Sequence, residues 1–263
     1  MAHPSAHKVC SPSCIALIPA RAGSKRVANK NIQELRGHPL ISYTIRSAID
    51  SGIFSEIIVS TDSEEYAEIA RYYGAEVPFL RPSEYAEDLS PDIGWVTYTL
   101  KRLKDEGKEF DCFSILRPTS PFRLPGTICR AWNAFTPEKG VDSLRAVEKC
   151  HEHPGKMWVI RGKKMMPLLP FGSEHQPWHS SPYQALPEIY VQNASLEIAW
   201  CDVVLKRGTI AGEVIMPFFT ENYEGFDVNH PEDLTNAMGL IDSGMARLPS
   251  VPQKPWRKLQ GWR

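Results

Sequence analysis

The chain of 263 residues has no surplus of charge, with 30 Lys and Arg against 31 Asp and Glu and a formal net charge of -1. Nucleic acid and anionic membranes are bound by a clear basic excess, so neither partner is expected. Paired cysteines are missing too. Cys10, Cys14, Cys112, Cys129, Cys150 and Cys201 are scattered, with no C-x-x-C spacing. That excludes a disulfide framework and a thiolate zinc site, and it points to a reducing compartment, the cytoplasm. No apolar run approaches the ~20 residues of a membrane helix. The opening MAHPSAHKVCSPSC holds one Lys and no apolar stretch, unlike a signal peptide or an anchor. Two nucleotide motifs are also absent. There is no G-x-x-x-x-G-K-[ST], and Gly23 stands alone where G-x-G-x-x-G needs companions. A P-loop NTPase and a dinucleotide-dependent oxidoreductase are set aside.

What remains is ordinary globular composition, 42% hydrophobic and 23% charged, in a chain long enough to bury a sizeable core. Ile15-Ala16-Leu17-Ile18 reads as a buried strand, and LISYTIRSAIDSG after Pro39 keeps helical spacing. Ile57-Ile58-Val59 reads as a second strand. Ser63 suits a helix N-cap, with Glu64 and Glu65 in the first turn and Gly74 past the end. A third strand near Glu76-Val77, a helix over Ile93 to Glu106, a strand over Phe110 to Leu116 and a helix from about Thr127 to Phe135 extend the alternation. Apolar strands alternating with amphipathic helices imply a parallel sheet covered on both faces. Between Lys149 and Tyr190 the alternation fails in a Pro-, His- and aromatic-rich stretch, with a hairpin turned at Arg161-Gly162, read as an inserted lobe. Strands return near Leu196 to Trp200 and Glu213 to Met216, and a helix starts at Pro231. The expected division is a flexible leader over 1–13, a domain over 14–248 carrying the lobe at about 149–190, and a tail over 249–263. The tail reads as either a flexible end or a strap across a partner.

The segment IPARAGSKRVANKN, directly after the first strand, carries Arg21, Lys25, Arg26 and Lys30 around Gly23 and Ser24. In an open α/β sheet, ligands bind beyond the carboxyl ends of the strands, where this loop must sit. Backbone N–H groups, guanidinium and ammonium suit phosphate, so the loop reads as a triphosphate cradle in preference to a solvated basic loop.

IPARAGSKRVANKN, IIVSTDSEE, LRPSEYAEDLSPD, LRPTSPFR and GFDVNHPED, in that order, resemble the cytidylyltransferases that activate acidic sugars. The chain is most similar to the acylneuraminate cytidylyltransferases, whose relatives handle legionaminic and pseudaminic acids, over about Ile15 to Leu240. The resemblance implies a three-layer Rossmann-like nucleotidyltransferase fold with a mainly parallel sheet. It also implies a homodimer formed through the inserted lobe, CTP and an acidic sugar as substrates, and Mg²⁺. Carried over by position, Arg21 and Lys30 hold the triphosphate, Ser24 and Lys25 support that loop, Asn31 contacts the nucleotide, and Ala20 belongs to the same nucleotide-binding loop. Arg81 reads the cytosine edge, and Asp92 falls at a second cytosine-contact position that is usually small and polar. Thr119, Ser120, Gln184 and Asn193 fall on the acceptor side, and Asp227 matches the first of two metal carboxylates. The implied reaction is attack of an acceptor hydroxyl on the α-phosphorus of CTP, with pyrophosphate leaving. Another acidic acceptor, a different ulosonate or a phosphonate, and a weakly catalytic nucleotide-binding protein are the alternatives.

Three positions depart from the family's pattern. Arg117 stands where Gln is usual before Pro-Thr-Ser-Pro, Asn229 replaces the second metal carboxylate, and Tyr183 replaces an Arg expected to bind the acceptor's acid group. Arg117 either supplies that lost cation or pairs with a neighbouring carboxylate. Asn229 still offers magnesium a carbonyl oxygen, without charge. His151 and His153, or His175 and His179, read as loop histidines in preference to zinc ligands. Trp158, Met165, Met166 and Trp178 read as core or dimer contact. Asp62 reads as a helix-entry residue in preference to a contact of the nucleotide site, Asp88 as a loop-fixing or nucleotide-contacting one, and Cys112 as buried packing.

Overall fold

A computed structural model describes residues 11–257. Its strands and helices are, in chain order, β1 Cys14–Pro19, β2 Glu34–Leu35, β3 His38–Pro39, α1 Leu40–Ser51, β4 Glu56–Ser60, α2 Glu64–Tyr72, α3 Asp92–Asp105, β5 Cys112–Ile115, α4 Pro125–Phe135, β6 Ser143–Lys149, β7 Trp158–Arg161, β8 Lys164–Pro167, β9 Tyr190–Trp200, α5 Cys201–Arg207, β10 Ile215–Phe219 and α6 Pro231–Asp242. Six strands form the central, mainly parallel sheet in the order β10-β6-β9-β5-β1-β4. β1 runs parallel to both β4 and β5, whereas β9 lies antiparallel to β5. The stretch expected as a third strand contributes a single parallel bridge, Ile58 to Glu76.

The sheet is apolar on both faces because alternate strand residues serve different layers. On one face Cys14, Ala16 and Ile18 of β1 pack with Ile41 and Ile45 of α1, Ile69 of α2 and Ile128 and Phe135 of α4. On the other, Ile15 and Leu17 meet Phe113 of β5, Trp95, Val96 and Leu103 of α3, and Val204 of α5. That is a three-layer α/β sandwich. A third cluster joins Leu35, Tyr43 and Phe122 to Val228 and Ala237, bringing α6 and the loop before it against the main body. Ser63 caps α2 by accepting from the Tyr66 amide at 3.4 Å. Gly52 ends α1 in the left-handed region at φ 64°, where a side chain is strained.

The expected leader at 1–13 falls largely outside the described residues, but Ser13 is anchored, its amide and hydroxyl donating to Asp111 Oδ2 at 2.8 and 2.9 Å. The tail is not free over its described part. Trp256 meets Tyr72 edge-on and its amide donates to Tyr73 Oη at 3.0 Å, and Tyr72 Oη donates to the Lys254 carbonyl. The segment therefore straps its own domain. The five described cysteines are free, with Cys14, Cys112 and Cys201 buried. Burial pushes the Cys112 thiol well above its usual range, so it packs as an apolar residue. No helix among the described residues is long and apolar enough to cross a membrane.

Contacts divide the chain into a large unit, residues 1–146 with 193–263, and a small one, residues 147–192. Inside the small unit β7 and β8 form a hairpin pairing Trp158 with Pro167 and Arg161 with Lys164, so the turn lies at Gly162-Lys163. His153 is a loop residue as expected, before the 3₁₀ turn Pro154–Lys156, and it is buried. Its Nδ1 accepts from the Gly155 amide at 2.9 Å, and its ring stands edge-on to Trp178 and Tyr183. Trp158, Met165 and Met166 are exposed at 37%, 57% and 48%, so a core role is excluded for them.

Candidate active site

The loop leaving β1 is shaped by contacts distant in sequence. The Ala20 amide donates to the Ser60 carbonyl at the end of β4, and the Ala22 amide to Asp62 Oδ1 at 2.8 Å. Asp62 therefore fixes this loop, a role beyond helix entry. Gly23 takes φ 71° and Asn29 φ 53°, both in the left-handed region, ahead of the short 3₁₀ turn over Lys30–Ile32. Buried Asn31 closes the loop by donating from Nδ2 to the Arg21 carbonyl at 3.1 Å. Its side chain is committed to loop structure.

Arg21, Ser24, Lys25, Lys30 and Asn31 line a cavity of about 270 Å³ together with Arg81, Asp92, Arg117 and Thr119. Nine positions singled out in the sequence thus converge at the carboxyl edge of the sheet, where α/β folds bind ligands. Ala20 is buried just behind this lining. The cations are partly neutralised from across the cavity. Asp88 accepts from Arg21 at 2.7 Å and also pairs with Lys25, and these hydrogen bonds hold its carboxyl below the usual range. Burial, the largest influence, pulls the Lys30 ammonium below its usual range. The nearby charges of Arg26, Arg117 and Arg21 act the same way, and only Asp227 opposes them. A cation so placed gains from any arriving polyanion.

The opposite wall carries Arg81, which is 5% exposed. Its Nε and one terminal nitrogen donate to the hydroxyl and carbonyl of Ser60 at 3.0 and 2.8 Å, and its guanidinium lies 4.7 Å from the Trp95 ring centroid. Burial lowers its pKa to about 10, against the attraction of Asp62 and Asp92. Asp92 opens α3, and Trp95 one turn later donates its indole N–H to Asp92 Oδ1 at 2.8 Å. Trp95 and Tyr85 line the cavity although the sequence reading passed over them. The spacing of Trp95 three residues after Asp92, on one helix face, was the available signal. Arg117 is ion-paired with Asp92 at 2.5 Å and with Glu197 at 3.3 Å. The carboxylate-pairing alternative for Arg117 is thus the geometry found.

Asp227 and Asn229 sit beside the cradle. The Val228 amide donates to the Thr119 carbonyl at 2.9 Å, which ties their loop to the segment after β5. Asn229 donates from Nδ2 to Asp227 Oδ2 at 2.5 Å, and Asn229 Oδ1 accepts from Lys30 Nζ at 3.3 Å. Asp227 Oδ1 is buried without a hydrogen-bond partner. A buried, orphaned carboxylate oxygen suits a hard cation, while Asn229 here turns its amide nitrogen to Asp227 and its oxygen to Lys30. No cluster of three or more His, Cys, Asp or Glu able to hold a metal occurs among the described residues, so phosphate and water must complete any such shell. Behind this corner the sequence reading missed Arg123, which is 1% exposed. It donates to the carbonyls of Ser195 and Arg117 and, at 2.8 Å, to Thr44 Oγ1, joining the middle of β9, the segment after β5 and α1.

The acceptor-side positions are less concentrated. Thr119 lines the cavity, but Ser120 is buried with its hydroxyl unpartnered and lies outside the lining. Asn193 bonds to Thr220 Oγ1 at 2.8 Å and also lies outside it. Gln184 belongs to the small unit, on the exposed turn Tyr183–Ala185. A larger cavity of about 670 Å³ lies between the start of α4 and residues 244–250. It contains none of the residues that carry chemistry in the first, so the smaller cavity is the functional candidate.

The sequence model of the cytidylyltransferase family matches residues 15–90, the stretch that holds the cradle and Arg81. Over 225 residues the chain is 48% identical to the CMP-N,N'-diacetyllegionaminic acid synthase of Legionella pneumophila, covering 83% of this chain and 92% of that protein. It is 37% identical over 121 residues to the pseudaminic acid cytidylyltransferase of Campylobacter jejuni, covering 46% of this chain and 52% of that one. Its fold matches the structure of a CMP:2-keto-3-deoxy-manno-octonic acid synthetase complexed with CTP with a TM-score of 0.63 at 13% identity, over 88% of this chain and 99% of that chain.

Proposed function

We propose, on the premise that this chain belongs to the cytidylyltransferase family, that it transfers CMP from CTP to a nonulosonic acid with release of pyrophosphate. The observation that carries the reading is the single cavity in which the cations of the first loop face the wall of Arg81 and Asp92.

In this reading Arg21 and Lys30 bind and neutralise the β- and γ-phosphates and hold the α-phosphorus in line with the acceptor's hydroxyl. Lys25 and Ser24 support the loop, and Arg81 donates to the base. Asp227 and Asn229 would hold Mg²⁺, which when bound supplies positive charge to the triphosphate. The acceptor is assigned to the side of Thr119, Ser120 and Asn193. No covalent enzyme intermediate is required, because the acceptor's hydroxyl attacks the α-phosphorus directly and pyrophosphate leaves.

The same proposal covers organisation. Residues 14–248 form the catalytic domain, and the lobe near 149–190 carries the contact of a homodimer. Support comes from the exposure in the small unit of Ile160 at 73%, Met165 at 57% and Phe171 at 53%, apolar side chains that a partner would cover. Sedimentation at micromolar concentration is expected to give a dimer, and deletion of residues 157–169 a monomer. An active full-length monomer would contradict this part. A cytoplasmic location suits the free thiols.

The test of the function is pyrophosphate release with each nucleoside triphosphate against a panel of legionaminic, pseudaminic and neuraminic acids, other ulosonates and phosphonates. CTP with one of the nonulosonic acids is expected to turn over. Tight CTP binding with no acceptor consumed would replace the enzyme reading with a binding protein, and equal rates with UTP would sink the cytidylyl assignment.

A further inference from the structure

The loop that leads into α3 carries a carboxylate to the cation cradle. Its start is seated, since the Tyr85 ring lies against Gly94 of α3, where an added Cβ would stand 2.8 Å from the ring. Its end is fixed because Asp92 opens α3. Between these points lie residues 86–90, with Leu89 94% exposed. Apart from local turns with one another and with residues 83 and 84, the hydrogen bonds and ion pairs that 86–90 make among the described residues all go to two cradle cations. Arg21 donates from one terminal nitrogen to Asp88 Oδ1 at 2.7 Å and from the other to the Ala86 carbonyl at 3.4 Å. Lys25 pairs with Asp88 Oδ2 and makes no other ion pair among the described residues.

Each Asp88 oxygen thus takes one cation, as the oxygens of a phosphate bridging Arg21 and Lys25 would. Carboxylate and phosphate both present acceptor oxygens to the same N–H donors, and held side by side the two anions repel. They compete for one place. The incumbent is weakly held. Side-chain exposure is 30% for Arg21, 81% for Lys25 and 28% for Asp88, and ion pairs this open to water contribute little. A polyphosphate brings several negative charges to a cavity lined by more cations than carboxylates, so it wins the exchange.

We propose that Asp88 is an autoinhibitory placeholder, a carboxylate that occupies the phosphate positions on Arg21 and Lys25 until a polyphosphate displaces it and so releases residues 86–90. The inference rests on the reading of the cavity as a triphosphate site and adds its regulation. The exchange runs both ways. When pyrophosphate leaves, Asp88 returns to the two cations and opposes rebinding of the product.

The experiment measures binding of tripolyphosphate, pyrophosphate, CTP and UTP to the full-length protein by calorimetry, in wild type, Asp88→Asn and Asp88→Glu. Asp88→Asn is expected to bind all four about three- to tenfold more tightly, the range for removing two exposed competing ion pairs. The gain should shrink as salt is added, because exposed pairs are screened. Asp88→Glu, which keeps the charge, should stay near wild type. Hydrogen exchange supplies the second readout. Tripolyphosphate, which has no base to hold the loop, should speed exchange of the amides in 86–90 in wild type, and Asp88→Asn should exchange at the faster rate without ligand. Unchanged or weaker tripolyphosphate binding in Asp88→Asn overturns the proposal, as does slower or unchanged exchange at 86–90 when tripolyphosphate binds wild type. If Asp88→Asn does not fold, the wild-type exchange measurement still decides. Failure of the cytidylyl reading looks different: CTP and UTP would bind wild type equally, while an equal gain for both in Asp88→Asn would still support the placeholder.

Discussion

Asp227→Ala is expected to cut CMP transfer at least about a hundredfold at any magnesium concentration, since a lost charge contact to the reacting phosphates costs about 3 kcal/mol or more. One oxygen of this carboxylate is buried and unpartnered while the other receives the Asn229 amide. No second carboxylate stands at position 229 to replace it. Asp227 also attracts buried Arg123, whose pKa burial lowers to about 9, so alanine will lower stability as well. Asp227→Asn separates the two effects by keeping the shape and removing the charge. It should lose turnover as alanine does, while its melting midpoint stays nearer the wild-type value. Asn229→Asp tests the same corner in reverse. It exchanges a 2.5 Å hydrogen bond to Asp227 for two facing carboxylates, which repel unless a cation lies between them. The variant should melt lower without magnesium, gain more stability from magnesium than wild type, and reach half-maximal rate at a lower magnesium concentration. Wild-type turnover in Asp227→Ala would place the reaction elsewhere.

Lys30→Ala and Arg21→Ala form the second large expectation, a loss of about a hundredfold or more in kcat/KM for CTP with little change in melting midpoint. Neither cation holds the core together. Lys30 makes one 3.3 Å contact, with Asn229, and Arg21 is engaged by Asp88 and the Ala86 carbonyl on a neighbouring loop. Lys30 also predicts a pH dependence. Burial sets its ammonium below the usual lysine range in the free protein, and a bound triphosphate restores its proton affinity. Binding then raises the pKa. The Lys30 contribution is complete below the free-protein value and is lost as pH rises through the value in the complex. The alkaline limb of kcat/KM should therefore begin below the range of an ordinary lysine, and Lys30→Arg should move it upward. Near wild-type kcat/KM in both alanine variants would refute the cradle.

Much of this architecture was readable residue by residue. The run Ile15 to Ile18, the spacing of Leu40, Ile41, Ile45 and Ala48, the Ser63 cap and the Pro231 start each depend on a few adjacent residues, and each element formed. The weak points were of a different kind. Glu76 bridges once instead of forming a strand, and α5 lay hidden because seven residues carry too little periodicity to stand out. Cradle residues were legible because chemistry and position coincide there, four cations directly after β1. Asp62's hold on the loop and Arg123 were not, and Asp88 was legible only as loop-fixing or nucleotide-contacting without its partners Arg21 and Lys25, because each acts on a segment far from it in the chain.

The sequence by itself determined the alternation of strand and helix, the two-faced sheet, the basic loop at its carboxyl edge and the absence of a dinucleotide or P-loop motif. Those follow from side-chain type and short-range spacing, which the chain carries wherever it folds. Tertiary structure alone decided which charges meet. Arg117 lies 25 residues after Asp92 and 80 before Glu197, and Lys30 lies 199 before Asn229. Nothing in local sequence specifies such a partner, because the choice depends on which strand ends and loops the sheet order brings within about 3 Å, the range over which a charged hydrogen bond acts.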